Sequence, residues 1–243
     1  MSTAPEPART DLDLLREATD RLLTSVEGLD AAAVAAPSVL PGWSRGHVLT
    51  HLARNADGVR TLALSARTGA AFGMYPGRPL RNADIDAGAT RPAEVILLDV
   101  RAAAERLAVE LEAMPAEAWA ASISPFAPAS AEPRLPASAL PGLRMREVEA
   151  HHIDLGLGYT WAHSPAPMLA SMLDQLPGRF SGSDLAPITV RAADLGRTWN
   201  VGGEGGPVIE GSAADILSWA TGRSAGEGLT CSSGSVPVSP GWG

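Results

Sequence analysis

The sequence predicts an α+β protein in which an N-terminal four-helix bundle precedes a small α+β C-terminal domain. Two patterns support this class. Apolar residues recur at helical spacing through most of residues 1–158, whereas residues 159–243 hold short β-branched segments between glycine-containing turns. With 243 residues, the chain is long enough for two modest domains. We therefore expect one domain over residues 1–158 and another over residues 159–243.

The first two helices of the bundle are predicted from their N-terminal caps. Thr10 can cap a segment with leucines at helical spacing, and Ser44 can cap a longer one after the turn-rich residues 37–43. The apolar face of this second helix also carries His51 and Asn55. Both polar side chains are therefore expected to point into the bundle.

The third and fourth helices follow long connections. The third is expected to start near Pro92 and to reach about Glu112, because proline is favoured in a first helical turn. Residues 67–92 before it are predicted to be a loop of a length often associated with function. A second connection, rich in proline and alanine, covers residues 122–138, and Gly156 marks the end of the fourth helix.

The C-terminal domain is expected to combine helices with strands. Residues 166–180 are predicted to form one helix, and residues 187–203 and 206–212 are predicted to form strands. Ser212 can cap a last helix, with Asp215 three residues later as in a capping box.

Composition excludes several classes of function. The formal net charge of -8 argues against nucleic acid as a partner, and no run of roughly 18 apolar residues is present for a membrane span. All 19 basic residues are arginine, which excludes Schiff-base chemistry at lysine and a P-loop lysine. Because the N-terminus has no basic run followed by an apolar core, we expect a cytoplasmic protein. We also expect a monomer.

The single cysteine, Cys231, excludes an intramolecular disulfide and a multi-cysteine zinc cluster. It is interpreted as a small, partly buried residue in a strand-like segment. A thiol that takes part in a reaction would then come from outside the protein.

Chemistry is expected on the fourth helix, where Glu147 and His151 lie four residues apart. On a helical wheel both fall within the apolar arc, whereas Glu149 and His152 point the other way and are predicted to face water. A carboxylate buried without partners costs several kcal/mol, so something must compensate it. A divalent cation shared with His151 is one candidate.

His51 on the second helix supplies a third ligand of the same kind. Two imidazoles and one carboxylate with an open fourth position suit a catalytic zinc ion. The alternative is a solvated or mutually hydrogen-bonded pair of Glu147 and His151, which is common at this spacing. His47 lies at the edge of the apolar face and is interpreted either as a fourth ligand or as a packing and hydrogen-bonding residue beside the site. Asn55 is expected to lie beside the ligands as well. His163, in a turn-like segment, is interpreted as structural.

Four segments together resemble the mycothiol-dependent maleylpyruvate isomerases of the DinB-like superfamily. They are LPGWSRGHVLTHLARNAD, GMYPGRPLRNADI, REVEAHHIDLG and GSAADILSWATGRSAGEGLTCSSGSVP. The first alone is weak, since its pattern recurs across the superfamily, but all four in order cover nearly the whole chain. The resemblance implies a DinB-like four-helix bundle joined to an α+β C-terminal domain.

The resemblance also implies roles for particular residues. The family's zinc ligands fall on His51, Glu147 and His151, whereas in the related bacillithiol-type transferases a third histidine is expected in place of Glu147. An arginine needed for activity falls on Arg223. Without the resemblance, Arg223 would be interpreted as a helix C-terminal arginine favoured by the helix dipole.

The implied reaction is the cis to trans isomerisation of 3-maleylpyruvate to 3-fumarylpyruvate in the gentisate route, with zinc and mycothiol as cofactors. Addition of the zinc-bound thiolate to the alkene permits rotation, and elimination restores the double bond. Arg223 is the first candidate to bind a carboxylate of the dianionic substrate or to stabilise an enolate. Arg81, placed in a loop, is the second candidate, and its alternative is an exposed solubility residue.

Three other functions stay open at this point. One is a mycothiol S-transferase that conjugates the thiol to an electrophile. Another is a non-catalytic ligand-binding protein of the same fold, and the third is a metal-dependent hydrolase that needs no thiol.

Overall fold

The computed structural model describes residues 3–6, 8–125 and 134–241. The chain divides into two compact units, Met1–Gly158 and Tyr159–Gly243. Residues 126–133 of the proline- and alanine-rich connection lie outside the described residues. Among the helices that the structure describes, none combines the length and apolarity required to cross a bilayer.

The first unit is a helical bundle built mainly on four long helices. In chain order its helices are α1 Ala8–Val26, α2 Ala31–Ala35, α3 Arg45–Thr68, α4 Arg78–Ala89, α5 Ala93–Glu112 and α6 Leu140–Asp154. Two short antiparallel strands, β1 Ser122–Ile123 and β2 Leu135–Pro136, lie between α5 and α6. Helix α3 packs along α5 and α6, and α6 also packs along α1. The predicted four-helix bundle is confirmed.

Local capping explains where α3 begins. The Ser44 side chain accepts the backbone N–H of His47 at 3.3 Å, as its prediction as a cap requires. The prediction for Thr10 is wrong, because α1 already begins at Ala8 and Thr10 lies inside it. The hydroxyl of Thr10 instead donates to the Glu6 carboxylate at 2.8 Å.

The loop predicted over residues 67–92 contains the helix α4. A proline in its first turn favours helix initiation, but only Ile85 and Gly88 are buried, so its apolar pattern is too sparse to recognise. Gly88 permits the close approach of α4 to α3. A Cβ there would meet the Thr50 Cγ2 at 2.4 Å.

The second unit combines short helices with one mixed sheet. The helices are α7 Ala166–Leu173, α8 Leu176–Arg179 and α9 Ala213–Ala220, and the strands are β3 Ile188–Ala192, β4 Arg197–Val201, β5 Val208–Gly211 and β6 Thr230–Cys231. The strand order is β4-β3-β5-β6, with β3 and β5 parallel and the other pairs antiparallel. Together with the bundle, this unit confirms the α+β class.

Two local predictions in this unit are modified. The single helix predicted over residues 166–180 is split into α7 and α8, and Pro177 lies in the first turn of α8, where a missing N–H is tolerated. Ser212 caps α9 as predicted, accepting the Asp215 N–H at 3.1 Å. The carboxylate of Asp215, however, accepts the Ser212 hydroxyl rather than completing a box with the backbone.

Candidate metal centre

Helices α3 and α6 bring together the three side chains that the sequence singled out. The Nε2 of His51 lies 3.1 Å from the Oε2 of Glu147, and the Nε2 of His151 lies 3.8 Å from the same oxygen. One ligand atom from each residue lies within 4.8 Å of the others. The two imidazole rings meet edge to face, with centroids 4.5 Å apart. This cluster is compact enough for a single cation.

A buried carboxylate sets the orientation of the His151 ring. The Oδ2 of Asp154 lies 2.8 Å from the Nδ1 of His151, and the Asp154 side chain is 1% exposed. Because a carboxylate accepts, Nδ1 of His151 donates to Asp154 and Nε2 faces the cluster. This pairing is typical of metal-binding histidines, so the donor set fits zinc. Sequence analysis missed Asp154, although its spacing of three residues from His151 was a signal.

The side-chain amide of Asn55 holds Glu147, and Arg144 determines how that amide is oriented. Asn55 Nδ2 donates to Glu147 Oε2 at 3.1 Å, and the buried Arg144 Nη1 donates to Asn55 Oδ1 at 2.8 Å. A guanidinium can only donate, so the Asn55 oxygen must face Arg144 and its NH₂ must face Glu147. Sequence analysis placed Asn55 beside the site but missed Arg144, which lies one helical turn before Glu147 and is buried.

The charges of Glu147 and His51 match those of metal ligands. Burial alone would raise the pKa of Glu147, but the hydrogen bond with His51 and the positive charges nearby, including Arg146, hold that pKa well below its usual range. Burial lowers the pKa of His51 to about 4 against the opposing hydrogen bond with Glu147. At neutral pH the pair is therefore a carboxylate and a neutral imidazole, as cation binding requires.

Arg81 lies beside the cluster in α4, so its prediction as a loop residue is wrong. Its Nη2 donates to the Nδ1 of His51 at 2.9 Å, and its guanidinium lies 5.5 Å from the Tyr75 ring centroid. The close packing of α4 on α3 brings it there, which the sequence pattern of residues 67–92 did not reveal.

Glu149 and His152 do not face water as predicted, since both side chains are fully buried. Arg21 of α1 donates to Glu149 at 3.0 Å, because α6 packs against α1 on the side opposite to the cluster. Glu147 and His151 keep 24% and 18% side-chain exposure. The more accessible pair is therefore the one that belongs to the cluster.

Comparison with known proteins identifies the family. The profile of the mycothiol maleylpyruvate isomerase N-terminal domain matches residues 15–156, more than half of the chain. The chain belongs to the mycothiol maleylpyruvate isomerase family. Two solved structures cover 100% of this chain and of their own with a TM-score of 0.86. No match is found among proteins of curated function.

Both solved structures are of proteins described as the mycothiol-dependent maleylpyruvate isomerase. One is 27% identical to this chain, and the other, a variant in which a histidine is replaced by alanine, is 26% identical. The structural similarity covers the whole chain, including the C-terminal unit that the family profile does not match.

His47 completes a helix cap in this family member. Its Nδ1 accepts the backbone N–H of Ser44 at 3.2 Å, so its ring is engaged one turn before His51. Trp43, which sequence analysis missed, lies against both rings, with centroid distances of 6.0 Å to His47 and 5.8 Å to His51. Among the described residues, the cluster of ligand atoms does not include His47.

The remaining candidates lie in the second unit. Arg223 follows α9, and its Nη1 donates to the Thr221 carbonyl at 2.8 Å, as its interpretation as a helix C-terminal arginine requires. Its role in activity stays a prediction. Cys231 is half-buried in β6, and the Nδ1 of His163 accepts the Thr160 N–H at 3.1 Å within a helical turn.

Proposed function

We propose that this member of the family is a cis–trans isomerase that converts 3-maleylpyruvate to 3-fumarylpyruvate with mycothiol as its thiol cofactor. One zinc ion would be held by His51, Glu147 and His151. The observation that carries the proposal is the convergence of these ligand atoms within 4.8 Å in a chain of the maleylpyruvate isomerase family. We place the reaction in the gentisate route of aromatic catabolism.

Residues around the cluster orient two of the three proposed ligands. Zinc bound there would supply a positive charge that keeps a thiol as its thiolate at neutral pH. Asp154 holds the ring of His151 with Nε2 toward the cluster, and Asn55 holds the carboxylate of Glu147. These contacts orient the ligands before a cation arrives, which lowers the entropic cost of binding it.

The reaction also explains why the thiol would come from mycothiol and not from the protein. A double bond rotates only after its π bond is broken, and reversible addition of a thiol breaks and restores it without net consumption. Among the described residues, the ligand cluster consists of His51, Glu147 and His151 and includes no cysteine. We propose that Arg223 and Arg81 bind the carboxylates of the substrate. We also propose that residues 1–158 form the metal-binding domain and that residues 159–243 form the α+β domain.

The decisive experiment supplies zinc-loaded protein with mycothiol and maleylpyruvate and follows formation of fumarylpyruvate. We expect turnover that requires both thiol and metal, with no net loss of thiol, and strong loss of turnover in His51→Ala. Accumulation of a released thiol adduct would instead show an S-transferase. Hydrolysis of a substrate without any thiol requirement would replace the isomerase by a metal-dependent hydrolase.

A further inference from the structure

A cleft of about 530 Å³ opens at the start of α4, next to the ligand cluster. Its lining includes Tyr75, Gly77, Arg78, Arg81 and Asn82, which we call the α4 cleft. Arg81 belongs to both places, because its Nη2 also lies 2.9 Å from the Nδ1 of His51. A ligand in the α4 cleft would therefore lie beside the proposed metal position.

The α4 cleft carries two positive charges that no carboxylate of the described residues pairs with. Among the described residues that line it, two are arginines and none is acidic. Elsewhere in the bundle, arginines pair closely with acids, as Arg54 and Arg91 do with Asp99 at 2.8 Å. Within the part of the chain that the structure describes, neither Arg78 nor Arg81 lies within salt-bridge distance of a carboxylate. In a protein of net charge -8, two guanidiniums in one cleft without a carboxylate partner among the described residues point to an anionic ligand.

Two further donors lie in the same cleft. Gly77 is the N-cap residue of α4 and supplies no side-chain cap, so this end of the helix leaves backbone N–H groups available to an anion. The Tyr75 hydroxyl is buried, and Arg81 and Asn55 lie near enough to oppose the effect of burial on its pKa. Burial raises the pKa of Tyr75, so the phenol keeps its proton and can donate.

Arg81 has donors to spare for a ligand in the cleft. A guanidinium carries five N–H groups, and two of them bond to His51 and Asn82 in the structure. Arg81 can therefore keep both contacts and still donate to a carboxylate oxygen.

We infer that the α4 cleft is a carboxylate subsite that binds one end of a dicarboxylate ligand, with Arg78 as a specificity-determining residue. Arg78 and Arg81 present planar forks that match a carboxylate, and Tyr75 adds a neutral donor. As the subsite for the isomerase substrate, this inference rests on the proposed function, but carboxylate binding itself can be measured without turnover.

The test uses maleate as the probe, titrated calorimetrically into zinc-loaded full-length protein without mycothiol. We expect Arg78→Gln to weaken maleate binding about tenfold, the effect of one charge-assisted hydrogen-bonded pair. Arg101→Gln is the matched control, since Arg101 is exposed on α5 and away from the cleft. Monomethyl maleate is expected to bind more weakly than maleate and to respond less to Arg78→Gln. Equal maleate affinity in Arg78→Gln and Arg101→Gln would overturn the subsite.

Kinetics separate this inference from the proposed function. If the protein isomerises maleylpyruvate, Arg78→Gln is expected to raise KM with kcat nearly unchanged, and Arg78→Lys to restore part of the loss. Maleate binding that depends on Arg78 without any isomerase turnover supports the subsite and removes the proposed function. Normal turnover with an unchanged KM in Arg78→Gln retains the function and removes the subsite.

Discussion

Arg144 Nη1 lies 2.8 Å from Asn55 Oδ1, and this contact determines which end of the Asn55 amide faces Glu147. The buried guanidinium therefore acts on the ligand cluster through one intervening side chain. Burial lowers the pKa of Arg144 to about 10, which still leaves it charged at neutral pH. The charge is available to polarise the amide that holds the carboxylate.

Asn55→Asp is expected to weaken zinc binding by roughly 10- to 100-fold, the usual range when a group that orients a ligand is removed. The new carboxylate can no longer donate to Glu147 and repels it. Competition with a chromophoric chelator would measure the dissociation constant. Asn200→Asp is the control, because Asn200 is exposed in β4 and accepts from Thr189 through an oxygen that aspartate retains. An unchanged zinc affinity in Asn55→Asp would show that the amide does not position Glu147.

His47→Ala and His51→Ala are expected to differ in metal content. His51→Ala removes a proposed ligand, so the purified variant should lose stoichiometric zinc. His47→Ala removes a side chain that caps α3 and should retain zinc while losing about 1 kcal/mol of unfolding free energy. Elemental analysis and urea denaturation would measure the two effects. Loss of zinc from His47→Ala alone would assign His47 as a ligand.

The buried imidazole of His51 predicts acid sensitivity of the metal-free protein. Its pKa falls from 6.5 to about 4 on folding, so the unfolded chain binds more protons between these values and stability decreases as the pH falls. Between pH 6.5 and 4.5 we expect this residue to cost about 2 kcal/mol of unfolding free energy. His51→Gln should remove that part of the slope in denaturation curves. An identical slope in the two proteins would refute the assignment.

Gly88→Ala tests the packing that brings Arg81 to the cluster. The new Cβ would meet Thr50 Cγ2 at 2.4 Å, so either the Thr50 side chain or α4 itself must move. We expect a loss of about 1 to 3 kcal/mol, typical of overpacking. Gly178→Ala in α8 is the matched control, since nothing lies within 4 Å of its added Cβ. Thermal denaturation measures both, and equal melting temperatures would contradict the expected clash.

The long helices could be predicted because their signals are local. The hydroxyl of Ser44 caps α3 within one turn, and apolar spacing marks α5 without reference to any partner. Helix α4 gave a weaker signal, because it buries only Ile85 and Gly88. A helix with only two buried residues does not show an apolar spacing that can be recognised in the sequence.

The candidate ligands followed from the sequence because a helix places residues four apart on one face, and the structure brings His51 to Glu147 and His151. The environment of the residues around these ligands could not be predicted from the sequence. The sequence assigned Glu149 and His152 to water, yet α1 covers that side of α6.

By itself, the sequence determined the fold class, the main helices, the family resemblance and three candidate metal ligands. Only the tertiary structure decided that Arg144 is buried behind Asn55, that Asp154 orients His151, and that Arg81 lies on a helix beside His51. The physical reason is that burial depends on every neighbour of a side chain. A helical wheel describes one helix, whereas α6 is enclosed by α1 and α3 from different sides.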